Sequence, residues 1–252
     1  MTGTALITGA SSGFGEIFAR RLAARGNNLV IVARRAELLE KIAGEIRGEC
    51  GVEVECIQAD LACDEGVSLV EARLSSGDVT TLVNNAGFSI DGTFTEGDIS
   101  RQVDMVYVHD VATIRLTHAV LPAMLERGSG DIINVASLAG ILPSRFHVTY
   151  SASKAFLVSF TETLSHEVEN QGIRLQALCP GYSPTGFQSA MGRTPSAPGF
   201  MWQGPEQVVD ESLAKLGSSR VVLVSGRFNK LEVAVANLLP RRLRLRVLRL
   251  TS

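Results

Sequence analysis

The sequence is poor in the features that mark secreted, metal-binding and membrane-spanning proteins. Four cysteines occur among 252 residues, and none stands in Cys-x-x-Cys spacing, which argues against a zinc site or a disulfide framework. No apolar run approaches the roughly 18 residues of a spanning helix, and the polar N-terminus predicts no signal peptide. A net charge of −2 gives no general attraction to nucleic acid. We therefore expect a reduced, cytoplasmic protein that holds no metal ion.

Strand-like and helix-like segments alternate along the chain without a repeat or a linker. Short apolar runs predict strands at 4–8, 29–33, 52–58, 81–83, 132–135 and 174–178. Helical patterns cover 16–24, 36–47, 99–125 and 150–170. With 45% apolar residues the chain can bury one large core. This order predicts a single α/β domain over residues 1–252, a doubly wound Rossmann-type parallel sheet with helices on both faces.

A glycine-rich turn separates the first predicted strand from the first predicted helix. Glycines let a backbone approach a pyrophosphate, and a helix N-terminus offers free N–H groups. The spacing is G-x-x-x-G-x-G, and no Gly-Lys-Ser/Thr follows, which excludes a P-loop. We interpret this turn as a dinucleotide-binding loop, with the candidate residues Gly9, Ser11, Ser12, Gly13, Phe14 and Gly15.

Two arginines, Arg34 and Arg35, follow the second predicted strand, where an adenosine ribose lies in such folds. An acidic residue there binds the ribose of NAD, whereas arginine suits the 2′-phosphate of NADP. The pair predicts a preference for NADP(H), with NAD(H) as the alternative cofactor. The other interpretation is two solvated arginines that begin the next helix.

Tyr150 and Lys154 are four residues apart in a predicted helix, so they lie one turn apart on the same face. An ammonium beside a phenol favours the phenolate and lowers its pKa. The hydroxyl of Ser137, at the end of the fifth strand, could hold a carbonyl oxygen beside that phenol. Together they predict proton transfer to and from an alcohol without a metal or a nucleophile. By itself, the spacing is also that of an ordinary solvated helix face.

These motifs, in this order, resemble the short-chain dehydrogenase/reductase family. The resemblance rests on Thr8-Gly9-x-x-x-Gly13-x-Gly15, Asp60-Leu61, Asn84-Asn85-Ala86-Gly87, Ser137, Tyr150-x-x-x-Lys154 and Pro180-Gly181. It implies hydride transfer between a nicotinamide and a carbonyl or alcohol. Tyr150 would then be the general acid/base, Ser137 would position the substrate oxygen, and Lys154 would bind the nicotinamide ribose. The implied cofactor contacts further include Asp60, Leu61, Asn85, Ala86, Gly87, Pro180, Gly181 and Thr185.

The chain departs from the family pattern at two positions. His109 stands where the family carries an asparagine that completes a proton relay, so His109 becomes a candidate catalytic residue. Its ring could carry protons itself, or it could merely pack in the helix. After Pro180-Gly181 the chain reads Tyr182-Ser183-Pro184-Thr185, where the family carries a β-branched residue and then threonine. Thr185 is expected to keep the contact with the nicotinamide carboxamide.

Two segments remain outside the motifs. Residues 186–204 predict a lid with an apolar underside that suits a hydrophobic substrate, or side chains that complete the core or an oligomer contact. Residues 231–252 predict a basic amphipathic tail, with five arginines and no acid after Pro240. Such a tail can bind an anionic membrane surface, dock on a neighbouring subunit or remain solvated. We expect a homodimer or homotetramer.

The leading hypothesis is an NADP(H)-dependent oxidoreductase that interconverts an apolar ketone or aldehyde and its alcohol. The alternative is a non-catalytic dinucleotide-binding sensor or scaffold on the same fold. Such a protein would keep the glycine loop but would have no need of Ser137, Tyr150 and Lys154.

Overall fold

The structure, a computed structural model, describes residues 3–90, 92–143, 146–185 and 198–240. Its centre is a seven-stranded parallel sheet in the order β3-β2-β1-β4-β5-β6-β7. The strands are β1 (Thr4–Thr8), β2 (Asn28–Ala33), β3 (Val54–Gln58), β4 (Val79–Asn84), β5 (Gly130–Val135), β6 (Ile173–Cys179) and β7 (Val222–Val224). The strand order reverses at β1, which pairs with both β2 and β4. Ligands of open parallel sheets bind outside the carboxyl ends of the strands at such a reversal.

Helices cover both faces of the sheet. They are α1 (Gly13–Ala23), α2 (Ala36–Cys50), α3 (Asp64–Leu74), α4 (Ile99–Val106), α5 (Ala112–Arg127), α6 (Val148–Glu167), α7 (Pro205–Lys215) and α8 (Arg227–Leu238). Apolar side chains of α1, α2 and α7 form one core layer, represented by Phe18, Leu39 and Val208. Those of α3 and α5 form the other, represented by Val70 and Leu116. The predicted doubly wound fold is confirmed.

The structure adds elements that the sequence patterns did not predict. Helix α3 carries only a narrow apolar stripe, Val67, Val70 and Leu74. Strand β7 has three residues, too few for a recognisable alternation. The predicted helix 99–125 is interrupted by a π-helical segment, Tyr107–Val111, between α4 and α5. Because π segments occur frequently at functional sites, this interruption is relevant to the chemistry.

No helix in the described part of the chain is both long and apolar enough to cross a membrane. Within the same residues, no group of three or more His, Cys, Asp and Glu side chains could hold a metal ion.

Candidate active site

The glycine turn brings the backbone of β1 close to that of β4. Gly9 has a φ of +67°, and a Cβ there would lie 2.9 Å from the Cα of Ala86. A Cβ on Gly15 would lie 2.3 Å from the carbonyl oxygen of Gly9. Any larger residue at either position would force the turn apart. Glycine at both positions leaves a backbone cradle at the start of α1, which is the geometry that a pyrophosphate requires.

The loop after β4 is tied to this cradle by one threonine. The hydroxyl of Thr8 accepts hydrogen bonds from the backbone N–H groups of Asn85 and Ala86, at 2.9 and 3.0 Å. The side-chain amide of Asn85 donates to the carbonyl of Thr8 at 2.8 Å. The two predicted cofactor-binding loops are therefore held together on either side of the strand reversal.

The arginines after β2 lie beside the same cradle. Both side chains are exposed, and the guanidinium of Arg35 donates to the hydroxyls of Ser11 and Ser12, at 2.9 and 3.3 Å. The side-chain amide of Gln58 donates to the carbonyl of Arg34 at 3.2 Å. The guanidinium of Arg35 thus borders the glycine loop, and among the described residues neither arginine has an acidic hydrogen-bond partner.

The two residues predicted after β3 are placed differently. Asp60 is exposed, and its carboxylate accepts a hydrogen bond from the backbone N–H of Ala62 at 3.1 Å. The side chain of Leu61 is buried in the core layer beneath it. Asp60 can therefore offer its side chain to an adenine, whereas Leu61 contributes its side chain to packing.

Ser137, Tyr150 and Lys154 meet at the carboxyl ends of β5 and β6. The hydroxyls of Ser137 and Tyr150 are hydrogen-bonded to each other. Lys154 is 4% exposed, and its Nζ donates to the carbonyl oxygen of Val135 at 2.8 Å. That Nζ lies 5.8 Å from the centre of the Tyr150 ring. The structure thus brings together the three side chains that the sequence predicts for proton transfer.

Burial determines the protonation of this group. It raises the pKa of the Tyr150 phenol, although the hydrogen bond with Ser137 acts in the opposite direction. It also lowers the pKa of Lys154 to about 8, although Asp110 and then Cys179 act to raise it. The sequence pattern predicts a lowered pKa for Tyr150, but in the chain by itself desolvation raises that pKa and outweighs the hydrogen bond with Ser137. The phenol is therefore protonated at neutral pH and is set to donate.

His109 is buried, and both nitrogens of its ring are engaged. Its Nε2 accepts a hydrogen bond from the backbone N–H of Phe88 at 3.2 Å. Its Nδ1 therefore carries the proton and lies 2.8 Å from the hydroxyl of Ser153, which donates to the carbonyl of Tyr150 at 3.0 Å. Burial, with a smaller effect of Lys154, holds its pKa well below the usual value. This favours the interpretation in which the histidine packs and positions neighbours over the one in which it carries protons.

Two imidazole rings lie near the ring of Tyr150. The ring centres of His109 and His147 are 5.8 and 6.2 Å from that of Tyr150, both at steep interplanar angles. The Nδ1 of His147 is 3.4 Å from the hydroxyl of Ser89. Gly87 makes room for this arrangement, because a Cβ there would lie 2.6 Å from the Nε2 of His109.

The turn after β6 is supported by residues that sequence reasoning missed. A Cβ on Gly181 would lie 2.4 Å from the side-chain nitrogen of Asn229, a buried residue of α8. The backbone N–H of Gln203 donates to the carbonyl of Tyr182 at 2.9 Å, and the rings of Tyr182 and Trp202 are 5.6 Å apart. Thr185 lies against Gly13, since a Cβ there would be 3.4 Å from the Cβ of Thr185. No sequence motif marks Trp202 or Asn229.

Part of the predicted lid, residues 186–197, lies outside the described residues. The remainder, with the start of α8, borders a cavity of about 400 Å³ whose lining includes Phe200, Met201, Trp202 and Phe228. The rings of Phe200 and Phe228 are 5.0 Å apart.

A family model described as short chain dehydrogenase matches residues 3–195. A very-long-chain 3-oxoacyl-CoA reductase from Anas platyrhynchos is 34% identical over 218 residues, 84% of this chain and 68% of the relative. A short-chain dehydrogenase from Sphingobium yanoikuyae, solved in complex with NADPH, is 33% identical, with a TM-score of 0.84 over 94% of each chain. The bulky-bulky ketone specific alcohol dehydrogenase from Comamonas testosteroni is 33% identical, with a TM-score of 0.80 over 94% of this chain and 93% of that one. The chain spans 63% to 68% of the length of the first curated relatives.

These features define a Rossmann-type oxidoreductase: the fold, the glycine cradle, and the group formed by Ser137, Tyr150 and Lys154. The chain belongs to the short-chain dehydrogenase family, as the resemblance predicts. Members of this family interconvert carbonyls and alcohols with NAD(P). The roles of the individual site residues stay predictions.

Proposed function

We propose that this protein reduces an apolar ketone, such as a 3-oxoacyl chain or a bulky ketone, with NADPH. The observation that carries the proposal is the Ser137–Tyr150 hydrogen bond beside the buried Lys154 ammonium. Burying an ammonium costs several kcal/mol unless other interactions compensate. A protein that only bound a dinucleotide could use Lys154 for the ribose but would have no need of the Ser137–Tyr150 pair beside it. The sensor or scaffold alternative therefore receives no support from the site.

The proposed chemistry assigns one task to each side chain. Bound NADPH would supply the hydride for the carbonyl carbon. Ser137 would donate a hydrogen bond to the substrate oxygen and hold it against the phenol. Tyr150 would give its proton to that oxygen, forming the alcohol, because the raised pKa keeps the phenol protonated. Lys154 would stabilise the resulting phenolate with its positive charge.

The cofactor fits the residues that are present. A pyrophosphate would fit the backbone cradle at Gly9 and Gly15, where no side chain could be accommodated. A 2′-phosphate finds Arg34 and Arg35, whose planar guanidinium groups match phosphate geometry. The relative from Sphingobium was solved with NADPH, which agrees with the proposed preference.

The nature of the substrate is inferred from the side chains around the cavity beside the turn after β6. Phe200, Trp202 and Phe228 contribute aromatic surface beside the turn after β6, and Phe200 is largely exposed. Polar side chains such as Glu211 and Lys230 line the same cavity, so these rings favour the apolar part of a substrate that also carries polar groups. The matched relatives are named for very-long-chain oxoacyl and bulky ketone substrates, which supports the same substrate class.

Two exposed apolar faces support proposals about partners. On α4, Ile99 and Val103 are exposed one turn apart, and Ile114 on α5 is also exposed, which supports the predicted homo-oligomer. On α8, Leu231 and Leu238 are 61% and 83% exposed on one face, ahead of the arginine-rich tail. That stripe supports contact with an anionic membrane surface. The tail itself, residues 241–252, lies outside the described residues. The cytoplasm stays the predicted location.

A panel of ketones and 3-oxoacyl thioesters, followed by NADPH absorbance, tests the proposal. Tyr150→Phe should lower kcat by about 10²–10⁴, the usual contribution of a positioned acid, while NADPH binding stays nearly unchanged. Tyr107→Phe is the matched control, since that tyrosine lies in the π-helical segment and its hydroxyl contacts Asp64. Normal turnover by Tyr150→Phe on a confirmed substrate would refute the mechanism.

A further inference from the structure

Asp110 is a carboxyl group that the proposed reaction has not used. It follows His109 in the π-helical segment Tyr107–Val111, which packs against α6. Its Oδ1 atom is fully buried and has no hydrogen-bond partner among the described residues. An unpartnered buried carboxylate oxygen is costly, so its retention calls for an explanation. Burial raises the pKa of Asp110 to about 7, and Lys154 acts in the opposite direction.

Lys154 is the charged group whose effect on the pKa of Asp110 opposes that of burial. The ammonium has three N–H donors, and among the described residues it makes one hydrogen bond, to the carbonyl of Val135. Among the charges that act on Lys154, Asp110 has the largest effect in favour of the ammonium, followed by Cys179. Cys179 is a buried thiol whose pKa burial raises to about 12, so it is neutral in the working range.

Several other titratable groups lie around this pair. His109 is neutral and hydrogen-bonded on both nitrogens, to Phe88 and Ser153. Tyr150 is held protonated by burial, and the centre of the His147 ring lies 6.2 Å from that of Tyr150. Glu162, further along α6, acts on Cys179. In the described part of the chain, Asp110 is thus the carboxyl that acts on the catalytic ammonium.

We propose that Asp110 is a positioning residue that acts through Lys154, its half-buried carboxylate serving as the counter-charge that keeps the Lys154 side chain protonated during reduction. This inference rests on the proposed role of Lys154 beside Tyr150. Without the carboxylate, burial would neutralise Lys154 near physiological pH, and the phenolate left after proton donation would lose its stabilising charge.

The first test measures Lys154 directly in the cofactor-free protein. Lysines occur only at 41, 154, 215 and 230, so ¹³C-labelled lysine side chains can be assigned by single substitutions. We expect the Lys154 inflection to move down by about one pH unit in Asp110→Asn and to return toward the wild-type value in Asp110→Glu. Asp104→Asn, on α4 of the same helical run, is the matched control and should leave Lys154 unchanged.

The second test is kinetic. The alkaline limb of the kcat profile for ketone reduction should move down in Asp110→Asn by the same amount as the Lys154 inflection. A merely structural role would lower kcat equally at every pH. A Lys154 inflection at the same pH in wild type and Asp110→Asn would overturn the inference.

Two further outcomes are distinguished, a failure of the proposed function and a failure of Asp110→Asn to fold. If Tyr150→Phe proves fully active, the proposed function fails, while the lysine titration still reports on the Asp110–Lys154 pair. If Asp110→Asn does not fold, the carboxyl signal of Asp110 is titrated in wild type and in Lys154→Met. Loss of the ammonium should raise the Asp110 inflection, and equal inflections in the two proteins would overturn the inference.

Discussion

Two regions of the molecule border the ligand crevice, and they are built in opposite ways. The catalytic edge, comprising Ser137, Tyr150 and Lys154, is made of polar groups that are hydrogen-bonded to one another or to backbone. The C-terminal cover, comprising residues 199–203 and α8, leaves aromatic and aliphatic side chains in solvent, with Leu238 as the extreme. Polar groups in a buried site must be held rigidly, because an unpaired one is costly. Apolar contacts are non-directional, so the cover can accommodate different substrates or surfaces.

The largest effect should come from breaking the catalytic edge at Lys154. Lys154→Met keeps most of the side-chain length and removes the charge. We expect kcat for a confirmed ketone to fall by about 10²–10⁴ and NADPH to bind more weakly, because the ammonium is predicted to serve both the phenol and the nicotinamide ribose. Steady-state kinetics and a fluorescence titration with NADPH measure the two effects. Lys215→Met, at the exposed end of α7, is the control. An unchanged kcat would show that the edge does not depend on this charge.

A smaller effect is expected at the cofactor end of the edge. Arg34→Asp should weaken NADPH binding by about tenfold or more, since one charged hydrogen bond contributes roughly 1.5–3 kcal/mol. Arg25→Asp is the control, an exposed arginine beyond the far end of α1. Binding is measured for NADPH and NADH with the same protein. Equal affinities in the unmodified protein would refute the predicted preference.

His109 sharpens the comparison between the catalytic edge and the cover. It is buried beside the catalytic edge but should stay neutral over the working pH range. We expect the pH–rate profiles of wild type and His109→Asn to have the same shape, since both ring nitrogens are engaged and the pKa is held low. A shifted limb in the pH–rate profile of His109→Asn would instead show that His109 takes part in proton transfer.

The same histidine makes a second prediction, for stability. Because its pKa is depressed in the folded state, its contribution is fully present above the unfolded value of about 6.5 and is lost as pH falls below it. Urea unfolding at several pH values should therefore show a smaller loss of stability on acidification in His109→Asn than in wild type. Parallel pH dependence of the two proteins would contradict this.

The smallest effect on chemistry is expected in the cover. Replacing Leu231 and Leu238 by glutamine should change the free energy of unfolding by no more than about 0.5 kcal/mol and leave NADPH affinity unchanged, because both side chains are exposed. The same variant should lose binding to anionic vesicles, measured by sedimentation against zwitterionic vesicles. If the full chain does not bind anionic vesicles and the variant changes the oligomer size, then Leu231 and Leu238 form a subunit contact.

Much of the edge could be predicted because it is encoded locally. The glycine turn, the arginines after β2 and the Tyr150–Lys154 spacing each lie within one short segment. Parallel strands bring their carboxyl ends to one edge, so Asn85, Ser137 and Pro180 could be placed together from strand order alone. The charge pattern of the tail after Pro240 is local in the same way, but the pattern does not say whether the tail contacts a membrane, a second subunit or solvent.

The protonation of the site could not be predicted from these patterns. It depends on burial and on partners far apart in sequence, such as Ser153 for His109 and Lys154 for Asp110. The support of Gly181 by Asn229 has the same origin, since α8 returns to the turn after β6 only in the folded chain. The sequence by itself thus determined the family and the fold and predicted the reacting groups, because these follow from local spacing and strand order. Only the tertiary structure decided which groups are charged, because desolvation and pairing depend on packing between remote elements.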